Sequence, residues 1–281
     1  MARRESYYDI LTQAIADMTE HGYDSAERVA YWQRRLREAA EGMFMSDADM
    51  QAALRAAMQQ TYKRLVDDGG AVKLHPGVSR FTVERLRPQM RAELDRRIMA
   101  SADLIRLNKK EAVDLTLKRF AGWSTSLPKG GAAEVDRRRT NKAIRKSMTA
   151  LPFEQRRLLI DQSAKLQSSI NEVIANDAGA IAAIWHSRWR VPGYNYRVDH
   201  KDRDLKVYAV RGCWALEQGL MNKGAGYTDD ITRPAEEPFC RCHYQYLYNL
   251  RQLPESMLTV KGKAALADAK AKVAALREGA A

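Results

Sequence analysis

Apolar side chains recur through the first 70 residues at the three- and four-residue steps that mark one face of a helix. ESYYDILTQAIADMTEHG and DSAERVAYWQRRLREAAEGMFM each carry such a stripe, with Gly22 and the Asp24–Ser25 pair supplying the stop and cap between them. SDADMQAALRAAMQQTYKRLVDDGG is a third helix, with Ser46 placed as N-cap, Asp49 as its reciprocal partner and Gly69–Gly70 as the stop. Pro76 and Gly77 break VKLHPGVSRF into a loop. The helical period then returns in RPQMRAELDRRIMASADLIRL and KKEAVDLTLKRFAGW, with Pro88 suited to a first turn. The stretch 124–131, STSLPKGG, reads as a linker that closes a helical domain over residues 1–123.

Residues 132–189 then read as basic and long helices. Leu159, Leu166, Ile170 and Val173 form one apolar stripe, and AIAAIWHSRW is predicted to continue or restart that helix. After Pro192 and Gly193 the period drops to two: Tyr194, Tyr196 and Val198, then Leu205, Val207 and Ala209, alternate around the charged turn 201–204, which predicts a β-hairpin. GCWALEQGLM reads as a short helix, and FCRCHYQYLYNL as a further strand after a long loop. Residues 190–252 are thus a small α+β module, and 253–281 a helical tail exposed on most sides unless a partner covers it. The predicted fold is mainly α: long N-terminal and central helices, a small α+β module (β-hairpin plus strand) near residues 190–250, and a C-terminal helix.

Composition adds limits rather than identity. At 281 residues, 45% hydrophobic and 29% charged, the chain has an ordinary globular balance. No apolar run approaches the roughly 20 residues a membrane span requires, so no membrane partner is expected. The start, MARRESYYDILTQ, lacks a secretory apolar region, so the protein is expected to stay in the cytosol that makes it. A net charge of +12 favours a polyanionic neighbour, DNA or an acidic protein surface.

Candidate chemistry concentrates in EEPFCRCHYQYLYNL. On a strand, Cys240 and Cys242 share one face about 7 Å apart, a poor geometry for a disulfide but a workable one for a shared metal. Zinc takes about four nitrogen or sulfur ligands, and His200 at the hairpin end and Cys213 at the head of the short helix are the candidates to join them. His243 is the remaining candidate, but on a strand it points to the opposite face and joins only if the chain turns immediately after Cys242. The competing reading is a set of buried reduced thiols behind a tyrosine-rich sheet face. A second candidate surface is the run from Lys129 to Lys146, in which Arg137, Arg138, Arg139, Lys142, Arg145 and Lys146 are either nucleic-acid or partner contacts or a solvated helix face. Asp199–His200 at a strand end resembles the opening of a metal-dependent His-Asn-His nuclease, but CWALEQGLM carries neither the asparagine nor the second histidine that chemistry needs. Phosphate-loop, zinc-protease and serine-elbow motifs are absent.

The order of elements in residues 150–250 resembles the phage Mu-like head morphogenesis family, the minor head proteins of tailed bacteriophages. The resemblance rests on a tryptophan-bearing segment, AIWHSRW, then arginine and histidine on YRVDHKDRD, then a glycine-rich loop, then EEPFCRC. Where the family often shows Asp-Gly after the histidine, this chain has Lys201, Asp202, Arg203 and Asp204. The resemblance implies a non-enzymatic virion component of the head or portal vertex. Its partners would be the portal protein, other head or neck proteins and packaged DNA, and several copies would be present per virion. The readings from other classes are a His-Asp metal-dependent nuclease and a zinc-stabilised DNA-binding protein.

Overall fold

The computed structural model describes residues 5–132 and 134–278. It is mainly helical, with one three-stranded antiparallel sheet, the class that the residue pattern predicts. Two compact units divide the chain: one comprises residues up to Leu54 with Met99–Leu158, the other Arg55–Ile98 with Leu159 onward.

In the first unit, α1 (Tyr7–His21) and α2 (Ala26–Gly42) are capped by Ser6 and Ser25, and Gly22 ends α1 at φ 70°. Ser46 caps α3 (Asp47–Tyr62): its hydroxyl accepts from the Asp49 amide at 3.1 Å and donates to the Asp49 carboxylate at 2.6 Å. The apolar stripes of α1 and α2 close on Val113, Leu117 and Phe120, forming one buried cluster with Ile144, Met148 and Leu151. Trp32 is fixed there by its indole N–H, which donates to Asp17 at 2.6 Å.

The expected interdomain linker at 124–131 lies within this unit instead. The Gly130 amide donates to the His21 carbonyl at 3.0 Å, and the Ala132 amide to that of Thr19 at 2.9 Å. Gly22 meets the returning segment so closely that a Cβ on it would sit 1.8 Å from the Pro128 carbonyl oxygen. The actual unit boundaries fall inside α3, α5 and α7, where no proline- and glycine-rich break marks them.

The second unit contains the remainder of α3, the short α4 (Arg80–Arg85), the first part of α5 (Arg87–Thr125) and most of α7 (Lys146–Asp177). The basic helix α6 (Arg137–Ile144) belongs to the first unit. In α7 the buried stripe runs through Leu166, Ile170 and Ile174. Gly179, at φ 68°, ends the helix with paired amide bonds, Ala180 to the Ala175 carbonyl and Gly179 to that of Asn176.

Beyond Gly179 the helix does not continue or restart as predicted. Ala182–His186 is β1, the central strand of a sheet ordered β2-β1-β3. A central strand with both faces covered shows no alternation, so its alanine-rich run reads as helix by composition. Nor is there a hairpin at 194–209. Val198–Asp202 is a short helix, α8, supported by the Arg203–Asp199 ion pair at 2.7 Å, and only Val207–Ala209, β2, is strand, pairing with β1. The alternation of Tyr194, Tyr196 and Val198 does not mark a strand: Tyr194 bonds the Phe239 carbonyl from a loop, Tyr196 faces solvent, and Val198 is the exposed first residue of α8.

The sheet separates two clusters. Ala182 and Ile184 face one side with Ala209, Leu220, Met221, Leu247 and Cys213; Ala183 and Trp185 face the other with Tyr208, Tyr244, Cys240 and Cys242. Cys213 sits at the head of α9 (Trp214–Glu217), its thiol 3.5 Å from the Ile181 carbonyl. It therefore lies across the sheet from the other two cysteines, a correction to the ligand set. β3 spans His243–Leu247, so Cys240 and Cys242 precede the strand rather than lie on it.

The tail, α10 (Val260–Glu278), is anchored by its first turn: Thr259 donates its hydroxyl proton to the Gly219 carbonyl at 2.8 Å, and Lys261 its ammonium to that of Gln218 at 2.8 Å. Leu266 packs half-buried against the first cluster, whereas Val273 and Leu276 are exposed. No helix among the described residues is long and apolar enough to cross a membrane.

Candidate metal centre

The site begins with a turn. Phe239, at φ 63°, adopts a left-handed conformation that a bulky side chain rarely takes, and the reversal it creates turns both cysteines after it inward. Three contacts hold the reversal: the Phe239 amide donates to Asp161 of α7 at 2.5 Å, the Phe239 carbonyl accepts the Tyr194 hydroxyl at 3.1 Å, and the Pro238 carbonyl accepts Arg197 at 3.1 Å. Tyr194 also accepts the Arg241 amide at 3.2 Å, so one phenol clamps both sides of Cys240.

Helix α8 brings His200 to the same point. Its Nδ1 lies 3.5 Å from Cys240 Sγ and 3.6 Å from Cys242 Sγ, and the three candidate ligand atoms all fall within 4.8 Å of one another. The exposures are 2%, 0% and 4% for His200, Cys240 and Cys242, so the group is enclosed. Trp185 meets the imidazole edge to face at 5.2 Å between ring centroids and covers one side. On the far side of the ring, Nε2 stands 3.3 Å from Glu237, whose carboxylate is held by Arg197 at 2.6 Å. Nε2 thus faces the carboxylate at ion-pair distance, with no hydrogen bond to it among the described residues, while Nδ1 faces the sulfurs.

The two thiols differ. Cys240 accepts the Cys242 S–H and also the Ala235 amide at 3.3 Å, and these donors lower it to about 6 despite burial, which opposes them. Cys242 is pushed up, first by its bond to Cys240 and then by burial. One thiolate with a neighbouring proton is the metal-free form this geometry favours, and a bound cation would displace that proton.

His200, Cys240 and Cys242 can therefore hold a metal ion through one nitrogen and two sulfurs. Cys213 is outside the group, and His243 lies on β3, stacked on His186 at 5.0 Å. Burial and its neighbours His186 and Arg188 lower His243 to about 4. Reading the sequence missed Glu237, Arg197, Tyr194, Asp161 and Trp185 as supporting residues. Only Glu237, immediately ahead of Pro238-Phe239-Cys240, carried a local signal.

The basic candidates sit in the other unit. Asp136 caps α6 by accepting the Arg138 and Arg139 amides at 3.0 Å each. Arg137, Arg138, Arg139, Lys142 and Lys146 are exposed and form no ion pair among the described residues. Arg145 is half-buried, its guanidinium 5.4 Å from the Tyr8 ring centroid.

Searches against protein-family models, curated proteins and solved structures found no match for this chain.

Proposed function

We propose that this chain is a structural, non-enzymatic protein of a tailed-bacteriophage head, acting at the portal vertex, with a zinc ion bracing its small sheet module. One observation carries the reading: the histidine and the Cys-Arg-Cys element on which the family resemblance rests converge, across 40 residues of sequence, on one enclosed group. Two thiolates and an imidazole form a donor set that suits zinc over hard cations such as magnesium. Zinc there would tie α8 to the turn ahead of β3 and so add stability to the sheet region.

The remaining features fit an adaptor. The free basic face of α6 suits packaged DNA, and the exposed end of α10 suits the portal or another head or neck protein. Several copies per virion would accompany such a role. The nuclease reading is the weaker, because His200 is 2% exposed and its Nδ1 faces two thiols, which leaves the imidazole little access to a water molecule.

Mass spectrometry of purified virions of the encoding phage tests the assignment directly. The protein should be present at a few copies per portal, and its absence from heads at every assembly stage would overturn the reading. Cleavage of plasmid DNA with magnesium, manganese or zinc, abolished by His200→Ala, would establish the nuclease instead.

A further inference from the structure

Within the second unit, a cavity of about 500 Å³ opens beside Cys242, walled by α7 and by β3 with the turn ahead of it. Its charge is one-sided. Arg64, Arg188 and Arg241 line it, no carboxylate does, and none of the three arginines forms an ion pair among the described residues. Elsewhere on the chain arginines are commonly matched, as Arg87 is to Asp67 and Glu84 and Arg211 to Asp229 and Asp230. All three arginines are exposed and have no carboxylate partner among the described residues, so their donors are available to an anionic ligand. Forked N–H donors suit phosphate oxygens best.

The other walls say what else the ligand carries. Tyr244 and Tyr246 offer aromatic surface, and Tyr244, 5% exposed, has a hydroxyl without a hydrogen-bond partner among the described residues. Gln60 and Gln167 add amides that can pair with the edge of a heterocycle. The volume falls in the range of small-molecule sites and exceeds what one inorganic phosphate needs.

We propose that this cavity binds a nucleotide, the arginines holding its phosphate and the tyrosines its base, whether the nucleotide is free or the phosphorylated end of a DNA strand. An acidic protein segment would satisfy the arginines equally but would leave the aromatic and amide walls unused. The site is independent of the head-protein reading, since it needs neither the zinc ion nor a virion partner.

Calorimetric titration of the full chain with deoxyadenosine 5′-monophosphate, with deoxyadenosine, and with a short single strand bearing either a 5′-phosphate or a 5′-hydroxyl decides it. The 5′-phosphorylated ligands should bind below about 1 mM and their 5′-hydroxyl counterparts at least tenfold more weakly, a difference of about 1.4 kcal/mol. Binding of the mononucleotide identifies a free nucleotide as sufficient; binding of only the phosphorylated strand identifies the source as a DNA end. Arg188→Gln and Arg241→Gln should each weaken binding about tenfold, while Arg211→Gln, outside the cavity and already matched by Asp229 and Asp230, should not. Arg64→Gln serves if either variant fails to keep the wild-type circular dichroism. The proposal is overturned if no phosphorylated ligand binds, if deoxyadenosine binds as well as its monophosphate, if the cavity variants bind normally, or if an oligoglutamate peptide binds more tightly than every nucleotide.

Discussion

At the scale of single residues, His200, Cys240 and Cys242 carry the heaviest predictions. Protein purified without chelator should hold about one equivalent of zinc by elemental analysis, and Cys240→Ser, Cys242→Ser or His200→Ala should each abolish it, whereas Cys213→Ser should not. Glu237→Gln is the finer probe. Removing the charge behind His200 Nε2 should weaken zinc by about 10- to 100-fold in a competition titration while leaving all three ligands in place. An unchanged affinity would show that Glu237 does not orient the imidazole.

His75 makes a separate residue-scale prediction. It is fully buried, stacked on Tyr246 at 5.5 Å, bonded through Nδ1 to the Tyr248 hydroxyl and through Nε2 to Asn171 Oδ1 at 3.3 Å. Because Asn171 Oδ1 can only accept, Nε2 carries the proton and Nδ1 accepts, which is the neutral ring. Burial lowers the group from 6.5 to about 4. A depressed value means that the folded state takes up its proton later than the unfolded chain. The stabilising effect is thus complete above pH 6.5 and is lost as the pH falls toward 4, by about 3 kcal/mol at most. His243 titrates in the same window. Urea denaturation at successive pH values should show this acid limb, and His75→Gln should flatten part of it.

At the scale of elements, β1 and the start of α10 are the sensitive points. Trp185 is wholly buried between the sheet and His200, so Trp185→Ala should cost about 3–5 kcal/mol and loosen the metal group as well. Gly262 is needed for a different reason: a Cβ there would stand 1.9 Å from the Leu220 carbonyl oxygen, a backbone atom that cannot give way cheaply. Gly262→Ala should lift the first turn of α10 from the sheet, read as faster amide exchange in 259–266 and a loss of about 1–3 kcal/mol. Val273→Ala, on the exposed part of the same helix, should stay within about 0.5 kcal/mol, because Val273 is exposed.

At the scale of the whole molecule, the +12 charge is unevenly used. Many arginines are matched in surface ion pairs, as Arg87 and Arg211 are, whereas Arg137, Arg138, Arg139, Lys142 and Lys146 are exposed and form no ion pair among the described residues. If that face meets DNA, the logarithm of affinity should fall linearly with the logarithm of salt. Changing the three arginines to alanine should then reduce the slope by up to about three phosphate contacts. A slope unchanged by the triple variant would place DNA contact elsewhere or nowhere.

By itself, the sequence determined what local chemistry can determine: the helical periods of α1, α2, α3 and α5, the caps at Ser25 and Ser46, the glycine stop at Gly22, and the suspicion that His200 belongs with Cys240 and Cys242. Those signals are short-range, written in spacing and in residues whose backbone preferences are strong. The tertiary structure alone decided the rest. Ala182–His186 is a strand because β2 and β3 flank it, and a strand buried on both faces erases the alternation by which strands are read. The predicted hairpin gave way to α8 because Leu205 and Lys206 bond to Trp185, a partner 20 residues away that no local pattern names. Cys213 left the ligand set for the same reason: which face of a sheet a cysteine occupies depends on how the strands are ordered, and that order is set by long-range pairing.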